Sequence, residues 1–168
     1  MIPIEIERKF LIAMPSINLL ESFENTRKKE IAQTYLPTID GITARVRKIE
    51  ENEKTTYVKT EKSRISSLSH YENEFEISKE QYENELTLRD ANKSTIEKIR
   101  YCIPCDNHIL EIDIYPFWND RAILEIELRD ENEAFDIPSY IKVIKEVSDD
   151  KRYKNTNLAK DVPMDSLV

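Results

Sequence analysis

The stretch Ile4-Glu5-Ile6-Glu7-Arg8-Lys9-Phe10-Leu11-Ile12 decides how this chain is read. Successive side chains on a strand point to opposite faces, so Glu5, Glu7 and Lys9 share one side and Ile4, Ile6 and Phe10 the other. Two carboxylates and an ammonium on one face describe either the wet side of a sheet or the wall of a cavity that holds a cation and an anion together.

The same sorting applied outward from this stretch gives a series of charged faces. Ile42 to Glu50 offers Arg45 and Arg47, with Ala44 and Val46 behind. Thr55 to Glu61 offers Lys59 and Glu61, aligned with Tyr57. Tyr71 to Ile77 offers Glu72, Glu74 and Glu76. Glu97 to Pro104 offers Lys98 and Arg100, and the last two strands offer Glu111 with Asp113 and Glu125 with Glu127. A solvated antiparallel face favours Thr, Ser and Gln with both signs interspersed. Here sign segregates by strand. Inside a closed barrel, Lys and Arg would neutralise phosphate oxygens, while carboxylates would hold Mg²⁺ or Mn²⁺ between themselves and the phosphates. Pattern alone leaves the wet face and the lined cavity both open.

The only glycine follows Asp40, and Asp40-Gly41 predicts a two-residue hairpin joining Glu30–Thr38 to Ile42–Glu50. A second turn falls near Glu51-Asn52-Glu53, and Lys62 to His70, polar and serine-rich, reads as a loop. Further turns at Asp106-Asn107 and Trp118-Asn119-Asp120 complete about eight strands, mostly antiparallel neighbours. Ser16 caps a predicted helix over Ile17–Lys29, Ser78 with Gln81 has capping-box form for a helix to Leu88, and Ser139 opens a third to Val147. The expected fold is α+β, an eight-stranded antiparallel barrel with flanking helices, in one domain over residues 1–168.

A formal charge of −8 argues against a nucleic-acid binder that works through a general phosphate footprint, though not against a small anionic substrate. No apolar run is long enough to span a membrane, and the N-terminus enters a strand without a leader pattern, so a cytoplasmic protein is expected. A twofold homodimer is the default assembly. Cys102 and Cys105 read as free thiols at a strand-end turn, because His70 and His108 do not complete a zinc site. The Asn92-Lys93-Ser94 sequon is idle in a cytoplasmic protein.

Glu5-Ile-Glu7-Arg-Lys9 resembles the ExExK signature of CYTH domains, the triphosphate tunnel metalloenzymes. The order Arg45-Val-Arg47, Lys59, Glu72/Glu74/Glu76, Lys98-Ile-Arg100, Glu111-Ile-Asp113 and Glu125-Ile-Glu127 is similar too, as is the closing Glu146 to Asn155 segment. The resemblance implies a tunnel that binds triphosphate compounds with a divalent metal. It implies phosphate binding by Lys9, Arg45, Arg47, Lys59, Lys98, Arg100 and Arg152. Metal binding would fall to Glu5, Glu7, Glu125 and Glu127, with Glu74, Glu111 and Asp113 as further ligands or water-orienting groups. Lys9, Lys98, Glu5 and Glu7 would be catalytic. Two departures stand out: His70 or Glu72 replaces an arginine, and Tyr57 replaces a threonine two residues before Lys59. The implied activity is hydrolysis of the terminal phosphate of inorganic or small organic triphosphates. The alternatives are a class IV adenylate cyclase and a polyphosphate-binding module without turnover.

Overall fold

A computed structural model describes residues 3–167. Nine strands form one antiparallel sheet: β1 (Ile4–Ala13), β2 (Arg27–Tyr35), β3 (Thr43–Glu51), β4 (Lys54–Arg64), β5 (Ser69–Ile77), β6 (Ile96–Cys105), β7 (His108–Ile114), β8 (Arg121–Leu128) and β9 (Val143–Glu146). The order is β5-β4-β3-β2-β6-β7-β8-β1, and pairing of β1 with β5 through Glu5 and His70 closes eight of them into a barrel. Closure removes the exposed edges that a sheet of this size would otherwise present.

The turns follow their local chemistry. Asp40 and Gly41 adopt φ of 52° and 75°, the left-handed pair that a tight two-residue hairpin requires. Asn52 and Glu53, at 50° and 64°, turn β3 into β4 in the same way. The helices are short: α1 (Ile17–Ser22) is capped by Ser16, and α2 (Lys79–Leu86) carries the Ser78/Gln81 capping box.

Three expectations change. The first helix stops at Ser22, because Asn25 takes a positive φ of 64° and Arg27 already pairs with Cys102. The loop expected over 62–70 shrinks to four residues, 65–68, since β4 continues to Arg64. The helix expected from Ser139 is absent; Val143–Glu146 instead forms β9 on the edge of β1 that β5 leaves free, with Phe10 opposite Glu146. That edge belongs to tertiary structure, which local helical spacing does not report.

The apolar sides of the strands face outward. On β1, β6, β7 and β8 they bury Phe10, Tyr101, Ile112 and Leu124 beneath α1 and residues 135–141. On β3, Val46 packs with Tyr82 of α2. A third cluster caps one end of the barrel: Leu11, Tyr115 and Ile123 meet Tyr153 and Leu158, from a 3₁₀ turn (Lys151–Tyr153) and α3 (Asn155–Leu158). Tyr115 Oη donates to Asn155 Oδ1 at 2.5 Å and fixes the cap. Among the described residues no helix is long and apolar enough to cross a membrane.

Candidate functional site

With the greasy sides turned outward, the charged sides converge on the barrel interior. A cavity of about 220 Å³ opens beside the cap, lined by Glu5, Glu7, Lys9, Arg45, Lys62, Arg64, His70, Arg100, Glu111 and Glu125, with Lys154 and Thr156 at its rim. The wet-face reading of the sequence is thereby excluded for β1, β3 and β6–β8.

Most of the cations are held by carboxylates. Lys9 Nζ lies 3.4 Å from Glu125, and Lys62 Nζ lies 2.7 Å from Glu5 and 3.5 Å from Glu72. Arg100 donates to Glu111 at 2.8 Å, to Asp113 at 2.7 Å and to Glu125 at 3.3 Å. Arg47 pairs with Glu74, which also accepts from Thr60 at 2.9 Å. Arg45 and Arg47 each keep a buried Nε without a hydrogen-bond partner, so part of each guanidinium fork is unused inside the barrel.

The carboxylates on β1 are under-compensated. Burial, and after it the charge of Glu125, pushes Glu7 up to about 8, and Lys62 relieves only part of this. Burial likewise raises Glu5, Glu111 and Glu127. Burial also opposes the charge of Glu125, yet Lys9 and Arg100 outweigh it and hold that carboxyl down at about 2. Burial, with Lys62, Lys154 and Arg64 close by, pulls His70 down to about 4, and its Nδ1 has no partner. His70 is therefore neutral near pH 7.

This donor set fits a hard divalent cation. It is all oxygen, and a carboxyl that keeps its proton up to about pH 8 is one that an Mg²⁺- or Mn²⁺-sized charge would relieve. Among the described residues no three acidic, His or Cys side chains already stand in a coordinating arrangement. Such an ion commonly takes one or two carboxylates and completes its shell with water and substrate phosphate.

Not every residue implied by the resemblance reaches the interior. Lys59 points outward, where its Nζ donates to Glu85 of α2 at 2.8 Å. The inward residues of β4 are Val58, Thr60, Lys62 and Arg64; Tyr57, which shares a face with Lys59, packs at a tilt against Tyr82 with centroids 4.9 Å apart. Lys62 thus stands where Lys59 was expected. Thr60 precedes it by two residues, so the apparent departure at Tyr57 disappears. Arg152 also faces away, bound to Asp150 at 2.9 Å and Asp165 at 3.0 Å. Its near neighbour Lys154 lines the cavity instead. Lys98 and Asp113 are inward but lie behind Arg100, at 3% and 0% exposure. Glu127 stands beside Glu7 across the β1–β8 register, more open to solvent than Glu125.

A closed antiparallel barrel with charge inside and apolar cover outside defines a distinct class of domain. The chain belongs to the CYTH domain family, whose model matches residues 3–153. An inorganic triphosphatase of Nitrosomonas europaea is 33% identical over 165 residues, 95% of this chain and 99% of that protein. One of Acetivibrio thermocellus is 38% identical over 93 residues, 50% of this chain, and the match spans only 58% of that relative's length. A solved inorganic triphosphatase is 30% identical, with a TM-score of 0.59 over 95% of this chain and 96% of that one. A protein of Pyrococcus horikoshii, 20% identical with a TM-score of 0.57 over 76% of this chain and 80% of its own, shares the fold.

Proposed function

We propose that this chain hydrolyses inorganic triphosphate to pyrophosphate and orthophosphate within its barrel, with Mg²⁺ or Mn²⁺. The observation that carries the reading is the barrel interior, where Lys9, Arg45, Lys62 and Arg100 share one cavity with the under-compensated Glu5 and Glu7. The four cations would take the phosphate oxygens, Arg45 with its unused donor and Arg100 after exchange with Glu111 or Glu125. Glu5, Glu7, Glu125 and Glu127 would hold the metal, which supplies charge neutralisation and a more acidic water. Glu111 would orient the attacking water in line with the terminal phosphorus. The new P–O bond forms as the bond to the bridging oxygen breaks, and the electron pair leaves with pyrophosphate. The two relatives named inorganic triphosphatases support the substrate.

The test is a phosphate-release panel over tripolyphosphate, ATP and thiamine triphosphate, each with Mg²⁺, Mn²⁺, Ca²⁺ or EDTA. The expected result is release from tripolyphosphate with Mg²⁺ or Mn²⁺ and none in EDTA. Cyclic AMP formed from ATP would establish the cyclase instead, and saturable binding without release would establish a binding module.

A further inference from the structure

Asp113 is the most enclosed carboxylate of the barrel, at 0% exposure. Its Oδ1 accepts from Arg100 Nε at 2.7 Å, and its Oδ2 accepts from Arg100 Nη2 and Lys98 Nζ, both at 2.9 Å. Both oxygens are therefore occupied by cations, and neither borders the cavity that Glu111 and Glu125 line. On β8 its register partner is the buried Ile123, and Lys98 Nζ lies 5.8 Å from the ring of Tyr115 in the cap. A metal ligand needs a lone pair directed at the ion, and three of the roughly four acceptor sites of Asp113 are taken by Arg100 and Lys98, in a carboxylate that does not line the cavity. Its two bonds to Nε and Nη2 instead grip one side of the guanidinium, a bidentate arrangement that fixes both position and plane. Nη1 and the outer side of Nη2 are left pointing at Glu111 and Glu125, toward the cavity.

We propose that Asp113 is a positioning residue that acts only through Arg100, holding its guanidinium against the back wall so that the edge paired with Glu111 and Glu125 can exchange them for phosphate. Lys98 belongs to this anchor, bonding the second oxygen of the buried carboxylate and not touching substrate. This rests on the triphosphatase reading above. Without the anchor, Arg100 keeps only its bonds to Glu111 and Glu125 and loses the fixed plane from which it exchanges them for phosphate.

The experiment is a double-mutant cycle over wild type, Asp113→Asn, Arg100→Ala and the double variant. Tripolyphosphate is titrated by thermal shift in Mg²⁺ and in EDTA, and the Mg²⁺ half-saturation is taken from phosphate release. Asp113→Asn should weaken tripolyphosphate about tenfold in the wild-type background and less than twofold once Arg100 is gone, as for residues that act as one unit. The Mg²⁺ half-saturation should stay within twofold of wild type. If Asp113→Asn does not fold, the same comparison is made in the Lys98→Met background, where the buried charge is balanced. An equal loss in both backgrounds, or a large shift in Mg²⁺ half-saturation, overturns the inference and returns Asp113 to the metal. A wild-type protein that ignores tripolyphosphate in both media overturns the triphosphatase reading itself.

Discussion

Glu7 gives the sharpest forecast. Its carboxyl is pushed from an ordinary 4.5 to about 8, first by burial and then by Glu125. At roughly 1.4 kcal/mol per pH unit this is an upper bound of about 5 kcal/mol, and adjustment of Lys62 and water entry reduce it to an expected 2–3 kcal/mol, roughly. The sign follows from the raised value. A group of this kind favours the folded state fully below 4.5, and the contribution disappears as pH climbs through about 8. Glu7→Gln cannot ionise and escapes this loss. Thermal unfolding in EDTA between about pH 5 and pH 9 should show the variant gaining on wild type across the range, by about 4–12 °C at the alkaline end, at 2–4 °C per kcal/mol for a chain of this size. Saturating Mg²⁺ should shrink that gap, since the ion takes over from the proton. Parallel curves for the two proteins would refute the crowding of carboxylates at β1.

Lys62→Met should abolish tripolyphosphate binding. Lys59→Met and Arg152→Ala should leave it within twofold, because their pairs with Glu85 and with Asp150 and Asp165 lie outside the cavity and contribute about 1 kcal/mol or less. Tyr115→Phe removes the bond to Asn155, so we expect about 1 kcal/mol of lost stability and faster amide exchange in residues 155–159, read by hydrogen-exchange mass spectrometry.

The strands and their charged faces were legible because the period-two pattern holds wherever one side of a strand is apolar. Ile4/Ile6/Phe10 against Glu5/Glu7/Lys9 needed no further context. β4 was misread because Tyr57 lies on the same side as Lys59, and that side turns out to be covered by α2. The Ser-rich stretch after Glu61 hid the continuation of the strand that carries Lys62. β9 was illegible for another reason: Val143 and Ile144 satisfy a helical spacing and a strand equally, and only the unpaired stretch of β1 decides. The order of the motifs could suggest where charges gather, but not that Asp113 is sealed behind Arg100. That depends on how β6 and β7 pair, which sets Arg100 directly opposite Asp113.

β1 has one further consequence. The backbone of Lys9 is clasped by the chain's closing segment, its N–H donating to Ser148 Oγ at 2.9 Å and its carbonyl accepting from Val147 N–H at 2.8 Å, while its ammonium enters the cavity. Sealing the domain and aiming this ammonium are one event at one residue. The wall that carries Lys9 is therefore complete only once residues 147–148 have docked against β1.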